Sequence, residues 1–466
     1  MMRPDVGVKP RIVLLGAHRW RREAVVQTVC DLGFEPILIV YEKEIVSDAL
    51  LRTLKPHQLI HQSLSSPRSA KQIADLLFRM GGDWFALGLD DYVCNFAAEL
   101  STFTSAPTMR PDAAIETREK HLLRARWNML CRDNPRLFAV PFQFLRFSDL
   151  RFETIVERTE DLTFCESGHL IVKPDGLDAS IGIHKVKSWH QLSGAIESIR
   201  RELAPLADEV RTMGIDISPT IVVEHQIPRS QRLHPGGEFS VEVLSTRVSD
   251  GTAVQHSLMG ITEKYIDPKT CVEIAHCFPS AAFPHMLLDT VWETTSQMLD
   301  ELGVQFCISH WEYIVTDEDR LALVEAQLRP AGDWIMQLIT RATGHDPYGA
   351  LLGAVNRERK PSLPDFAEKQ IAAVFFPLPE REILGRFSIV CEAEAEPLLG
   401  KSVFIDPDVN NASSWARHPQ WCARYLSVIT EGQSFDEAKE LCQRVVSKMK
   451  IHQAAGSEQT RFVLPL

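Results

Sequence analysis

The residues of this 466-residue chain best suited to chemistry lie between Ser309 and Asp333. Two alternating apolar runs, His310 to Thr316 and Arg320 to Leu328, flank the polar turn Asp317-Glu318-Asp319, the pattern of a β-hairpin. Successive strand side chains point to opposite faces. His310, Glu312 and Ile314 therefore share a face of the first strand, and Leu323, Glu325, Gln327 and Arg329 share one of the second. Two carboxylates, an amide and a guanidinium converge on one surface. The flanking Leu323, Val324, Ala326 and Leu328 are apolar and put the carboxylates beside a core, where an unpartnered carboxylate is costly. A hard cation such as Mg²⁺ takes oxygen ligands and usually keeps phosphate oxygens as well, so one reading is a metal–phosphate site. The other is a hairpin with solvated charges outside, since the exposed face of an antiparallel sheet is normally polar.

Three further segments carry candidate groups. Lys173 ends the apolar run His169 to Lys173 and precedes a loop of small residues, Asp175 to Gly182. A lysine there supplies charge, and backbone amides with Ser180 supply hydrogen bonds for phosphate. The GxxxxGK[ST] order is absent and the loop joins strand to strand, so a plain hairpin loop fits equally. Lys120 and Arg124 are four apart on the helical run Ala113 to Leu130, opened by Pro111. They share a face that either binds an anion or is solvated. Glu224 sits near the end of the strand Thr220 to Gln226, placed to accept from ribose hydroxyls. The loop Ile227 to Gly237 carries Arg229, Arg232 and His234, a cationic segment suited to closing over anions or to plain solvation. In the next run, Glu238 to Leu244, alternation puts Glu238, Ser240 and Glu242 on one side.

These groups need a scaffold. Arg11 to Leu15, Pro36 to Tyr41 and Trp84 to Leu89 are buried-strand runs separated by helical patterns, with a helix from about Arg19 to Leu32. Such alternation predicts a parallel sheet covered by helices, which binds ligands at the carboxyl ends of its strands. Gly16-Ala17-His18 and Asp90-Asp91 occupy those ends, as substrate-facing groups or ordinary turn residues. No GxGxxG is present, so a dinucleotide site has no support. Later elements are a strand at Val140 to Leu145, helices at Phe147 to Arg158, Ser188 to Met213 and Phe283 to Leu302, and a helix from Trp334 to Thr343. Beyond the linker Lys360 to Pro364, the tail holds strands, a tryptophan-containing loop and a last helix, Phe435 to Lys450. His310, Trp311, Trp334 and Met336 are candidates for a pocket wall, with core the expected place of the tryptophans.

Composition narrows the function classes. With 45% hydrophobic and 24% charged residues the chain is globular, and its length predicts roughly three domains. A net charge of -12 argues against a nucleic-acid or anionic-membrane binder. No apolar run approaches the ~20 residues of a membrane span, and no signal peptide is visible. The ten cysteines form no CxxC pair or Cys/His cluster, which favours reduced thiols in a cytoplasm.

Taken in order, the helix lysine, the strand lysine with its small-residue loop, the strand glutamate with GGEFSVE, and the hairpin with Glu312, Glu325, Gln327 and Arg329 resemble the ATP-grasp superfamily. The subgroup they most resemble is the carboxylate–amine ligases that act on amino acids. The motifs span Thr108 to Thr343. The resemblance implies an α/β chain, α+β in its central part, with a Rossmann-like parallel-sheet domain over 1–110. The ATP-grasp parts would occupy 111–225 and 226–365, and an α/β subdomain 366–466. It implies that Lys120 and Lys173 contact ATP phosphates, that Ser180 and Gly182 lie in the loop over them, and that Glu224 and Glu238 sit close to the nucleotide. Glu312, Glu325 and Gln327 would hold Mg²⁺, with Mn²⁺ as an alternative, and Arg329 would stabilise an acyl phosphate and the tetrahedral intermediate. Gln327 stands where the family usually has Asn. The implied reaction joins a small-molecule carboxylate to an amine, both amino-acid-like, with release of ADP and phosphate. A bicarbonate- or formate-using relative and a catalytically silent nucleotide-binding regulator are the alternatives. Related ligases are commonly dimers.

Overall fold

In the computed structural model the described residues are 10–16, 19–41, 46–62, 64, 67–104, 108–146, 162, 169–177, 182–212, 220–233, 237–247, 253–267, 271–355, 370–380, 387–391, 403–407, 426–453, 459–464 and 466. The expected helix Phe147 to Arg158, Ser180, His234 and the tryptophan-containing tail loop lie outside them.

The chain opens as β1 (Arg11–Leu15), α1 (Arg19–Asp31), β2 (Glu35–Val40), α2 (Asp48–Thr53), β3 (Leu59–His61), α3 (Pro67–Met80), β4 (Trp84–Gly88) and α4 (Asp91–Ser101). The strands pair in parallel in the order β3-β2-β1-β4. Burial on both faces explains why β1 and β2 read as continuous apolar runs. Next come α5 (Ala113–Arg118) and α6 (Lys120–Leu130). The single helix expected from Ala113 to Leu130 is therefore two. Glu119, at φ -75° and ψ 103°, breaks the helical hydrogen bonding and makes Lys120 the first residue of a new helix.

A second layer holds β5 (Phe142–Arg146), β6 (Leu170–Pro174), β7 (His184–Val186), α7 (Trp189–Thr212) and β8 (Thr220–His225). Its antiparallel sheet runs β5-β8-β6-β7. Leu192, Ile196, Ile199 and Leu203 recur at helical spacing on α7 and pack on Leu170, Val172, Ile221 and Val223.

The central elements are β9 (Glu238–Arg247), β10 (Val254–Ile266), β11 (Glu273–Phe278), α8 (Leu288–Glu301), β12 (Cys307–Val315), β13 (Leu321–Gln327), α9 (Ile335–Thr343), α10 (Pro347–Gly353) and β14 (Ile371–Phe375). The chain ends with β15 (Leu378–Pro379), β16 (Phe387–Cys391), β17 (Val403–Pro407), β18 (Leu426–Gly432), α11 (Phe435–Val446), β19 (Met449–Gln453) and β20 (Gln459–Val463). Eight strands form one antiparallel sheet, β13-β12-β9-β10-β11-β14-β18-β17, and four more pair as β15-β20-β19-β16. One face of the large sheet packs Phe239, Val241, Trp311 and Tyr313 against α6 and α8. The other face meets α9 and α10, whose apolar side chains also reach Ile12 and Leu14 of the parallel sheet. A single core thus ties the first domain to the central sheet.

β10 and β11 have no counterpart in the sequence reading, which places no element between Leu244 and Phe283. β10 breaks its own alternation at a bulge between Leu258 and Gly260. Gly260 is needed there: its φ is +148°, and a Cβ would stand 2.4 Å from Phe278. Among the described residues no helix is long and apolar enough to cross a membrane.

Candidate active site

The hairpin forms as its alternation requires. Asp319 takes a left-handed φ of 55° in the turn, a conformation its short side chain tolerates. Across the strands His310 faces Gln327, Trp311 faces Ala326 and Glu312 faces Glu325. The register then shifts, so that Tyr313 faces Leu323 and Val324 is the extra residue. This bulge corrects one expectation. Leu323 does not share the face of Glu325 but joins Trp311 and Tyr313 in the core, while Val324 borders the cleft with Glu325.

Two carboxylates directly opposite each other repel unless positive charge sits between or beside them. Glu312 accepts hydrogen bonds from Lys264 Nζ and, at 2.8 Å, from His310 Nε2. His310 Nδ1 in turn lies 2.8 Å from Glu242 Oε1. Burial alone would lower the pKa of His310, but Glu242 and Glu312 outweigh it and raise it to about 9. The imidazolium can therefore donate to both carboxylates and fix the rotamer of Glu312. Burial would raise the pKa of Glu312, yet Lys264 and His310 bring it down to about 2. Glu325 accepts from the amide of Gln327.

The other end of the cleft is built on β6, β8 and α6. Glu224 Oε1 accepts from Lys173 Nζ at 2.6 Å and Oε2 from Arg124 Nε at 3.0 Å. Arg124 also donates to the carbonyl of Leu323, joining this end to the hairpin. Lys120, Arg124, Lys173 and Glu224 are all buried. Lys120 donates to the carbonyl of Leu177, in the loop that follows Lys173. The solvated alternative for Lys120 and Arg124 is excluded, because helix periodicity defines a face but not what covers it.

Desolvation would push the pKa of Glu224 up, but Arg124 and Lys173 overrule it and hold the carboxyl at about 2, against an ordinary 4.5. A depressed carboxyl pKa stabilises the fold above the unfolded value and stops doing so as pH falls through the folded one. The wild type is expected to lose stability between pH about 4.5 and 2, and Glu224→Gln to show a flatter dependence in that window. At neutral pH the variant is expected to be less stable by about 3–5 kcal/mol, since Arg124 and Lys173 lose their counter-charge. Urea unfolding of both proteins across that range measures it.

The described part of the loop after β8, residues 226–233, runs along the surface of the hairpin: Ser230 N donates to Val315 O at 3.0 Å and Gln231 N to Asp317 Oδ1 at 2.8 Å, with Gln231 and Arg232 exposed. Its cations are paired, Arg229 with Glu238 at 2.5 Å and Arg232 with Asp319 at 2.7 Å.

Sequence reasoning missed Lys264, Glu273 and His276, which lie on β10 and β11. Lys264 is 1% exposed and pairs with both Glu273 and Glu312. Burial would lower its pKa, but Glu273, Glu312 and Glu238 raise it well above the usual lysine value. His276 Nε2 lies 3.5 Å from Glu273 Oε2 and 3.7 Å from Asp333 Oδ2. The adjacent Glu263 and Lys264 in the run after Gly260 were the available signal, since charges in an otherwise apolar strand imply partners.

One cleft is lined by Lys120, Lys173, Glu224, Glu238, Glu312 and Glu325. Gln327 and Arg329 are not part of its lining; Gln327 bonds Glu325 from the side, and Arg329 turns toward α4. Gly182, at φ +67°, packs on Pro174, where a Cβ would come within 2.8 Å. The two ends of the cleft differ in sign. At one, Lys173 and Arg124 share the single carboxylate of Glu224 while Lys120 rests on a neutral carbonyl, which fits polyphosphate. At the other, Glu312 and Glu325 meet face to face with Glu273 close by, which fits a hard divalent cation held between phosphate and protein oxygens.

A family model described as an ATP-grasp domain matches residues 167–337. Comparison with curated protein sequences gave no match. Among solved structures, the L-amino acid ligase from Bacillus licheniformis superposes with a TM-score of 0.70 at 13% identity, covering 97% of this chain and 100% of that one. The carboxyaminoimidazole ribonucleotide synthase from Aspergillus clavatus, complexed with ATP, gives 0.66 at 12% identity over 94% and 97% of the two chains. The biotin carboxylase domain of the 2-oxoglutarate carboxylase from Hydrogenobacter thermophilus, a dimer solved with MgADP, ADP and bicarbonate, gives 0.61 at 13% identity over 97% and 92%. Residues 167–337 thus match an ATP-grasp domain model, and the chain as a whole shares the fold of these solved structures.

Proposed function

We propose that the chain is an ATP-dependent ligase that joins an amino-acid-type carboxylate to an amine through an acyl phosphate, releasing ADP and phosphate. The observation that carries this reading is the pairing of Glu312 with Glu325 across the hairpin, in the same cleft as Lys120 and Lys173. In this reading Lys120 exchanges the Leu177 carbonyl for a phosphate oxygen, Lys173 adds a phosphate oxygen to its bond with Glu224, and Glu224 lies in the adenine–ribose pocket. Ser180 and Gly182 belong to the loop over the phosphates, and Glu238 lies beside the nucleotide. Glu312, Glu325 and Gln327 are the proposed ligands of Mg²⁺, for which Mn²⁺ can substitute. A cation so held supplies neutralisation of the phosphate oxygens during transfer.

A carboxylate resists amide formation because its leaving group would be oxide. Attack of the carboxylate oxygen on the γ-phosphorus breaks the bond to ADP and makes a mixed anhydride. The amine nitrogen then attacks the acyl carbon, phosphate leaves with the bond electrons, and the nitrogen loses a proton. Arg329 is placed in this scheme as donor to the oxygen that becomes negative in that step. The loop Asp175–Gly182 would keep water from the anhydride. Glu273, joined to Glu312 through Lys264 and lining the same cleft, offers a carboxylate to a substrate ammonium group and favours an amino acid. The described cysteines are all free, in keeping with a reducing, cytoplasmic setting; a homodimer is the assembly proposed.

Purified protein incubated with Mg-ATP and pools of amino acids is expected to release ADP and phosphate and form an amide detectable by mass spectrometry. Release of AMP and pyrophosphate, or ADP formation that needs bicarbonate instead of an amine, overturns the reading. ATP binding by calorimetry with no turnover in any pool supports the catalytically silent alternative.

A further inference from the structure

Arg329 follows β13 by two residues and reaches away from the hairpin to the first domain. Its Nη2 donates to Asp91 Oδ2 at 2.5 Å and its Nη1 to the carbonyl of Pro330 at 2.9 Å. The two charged side chains are each 9% exposed, so the pair is shielded from water and is not a solvated surface bridge. The two partners lie 238 positions apart in sequence, Asp91 opening α4 and Arg329 just beyond the end of β13.

Asp91 stands beside Asp90, and the structure separates them. Asp90 is the cap of α4: its Oδ1 accepts from Tyr92 N at 3.1 Å. Asp91 begins the helix and sends its carboxylate across to Arg329 instead. The backbone just ahead of Arg329 lies on the same side. The carbonyl of Leu328 lies 3.5 Å from the thiol of Cys94, one turn further along α4, which is 3.0 Å from the carbonyl of Asp90, and 3.1 Å from the thiol of Cys307 on β12, which is 2.9 Å from the carbonyl of Ile308. The guanidinium is thus registered against α4, and the main chain ahead of it passes beside Cys94 of the same helix.

We propose that Asp91 is the positioning residue for Arg329, and that through it the first domain sets the aim of the group that meets the developing oxyanion. The proposal rests on the ligase reading for the role of Arg329, but the anchoring itself stands on the geometry. An oxyanion donor helps only if it is oriented before the charge develops. An arginine has many rotamers, and a fixed carboxylate on one edge of its five-donor fork removes them without exhausting the fork. α4 thereby becomes part of the reaction machinery although no atom of it need touch substrate.

Asp91→Asn keeps the shape and removes the charge. It is expected to lower kcat by about 10- to 100-fold, the cost of a misplacement near 1 Å, with the KM for ATP within about twofold of wild type. Asp91→Glu keeps the charge but pushes the guanidinium by a methylene, and is expected to lose several-fold, less than Asn. In an Arg329→Ala background Asp91→Asn is expected to cost nothing further, because its effect runs through Arg329. Unchanged kcat in both single variants, or the same fold-loss with and without Arg329, overturns the proposal. If the wild type itself releases no ADP with any amine, the ligase reading has failed separately, and crystal structures of Asp91→Asn and Asp91→Glu decide the anchoring: a displaced guanidinium upholds it and an unmoved one overturns it.

Discussion

An Arg329→Ala variant is expected to bind Mg-ATP as the wild type does and to form amide about 10³-fold more slowly. Removing one well-aimed oxyanion donor costs about 10²–10³ in kcat, and this arginine also neutralises charge around the acyl phosphate. Arg329 lies outside the lining of the cleft that holds Lys120 and Lys173, so nucleotide affinity should be spared. Truncation also strips Asp91 of a shielded partner at 2.5 Å, which costs stability. Arg329→Lys is the control: it keeps a cation for Asp91 but loses the planar fork. It should fold as the wild type does and still lose about 10² in rate. Calorimetry for Mg-ATP with steady-state ADP and amide assays separates the two effects. Full amide formation by either variant removes Arg329 from the mechanism.

The hairpin was legible because alternation is a local property of sequence, and Glu312 and Glu325 did fall opposite each other. The bulge at Val324 was not, because an extra residue in a ladder is defined by its partner strand; it is the reason Leu323 faces the core. Lys173, Glu224 and Arg124 each stood out or stayed ambiguous for the same reason. A buried charge declares itself only with its partner, and Arg124 and Glu224 are 100 positions apart. β10 and β11 escaped altogether. A strand that carries charge on both faces, Glu263 toward Ser280 and Lys264 toward Glu312, and whose middle is kinked at Gly260 does not alternate cleanly, yet it supplies the lysine that neutralises Glu312. The parallel sheet of the first domain, by contrast, is buried on both faces and reads directly as runs such as Ile12 to Leu15.

These residues share one design. Most charges of the cleft are paired with opposite sign, Lys173 with Glu224, Arg229 with Glu238 and Lys264 with Glu312 and Glu273, while Lys120 and Glu325 rest on neutral groups. Burying so many ions without partners would be prohibitive. Binding a charged ligand then exchanges partners instead of exposing bare charge, and the ligand is selected by how well it replaces what it displaces.

That exchange is sharpest at the hairpin. Glu312→Gln and Glu325→Gln are each expected to reduce turnover at saturating ATP by about 10³-fold or more, since a cation bridging phosphate to protein contributes several kcal/mol to the transition state. Neither change should unfold the protein. In Glu312→Gln, Lys264 retains Glu273, and in Glu325→Gln the new amide oxygen can still accept from Gln327. Raising Mg²⁺ should recover part of the rate in each single variant and none in the double variant, where no carboxylate faces the phosphates from these strands. Mn²⁺ binding followed by electron paramagnetic resonance gives the affinity directly. Wild-type rates with unshifted Mg²⁺ dependence in both variants would show that Glu312 serves only to neutralise Lys264 and His310 and Glu325 only to accept from Gln327, and the ligase reading would fall with them.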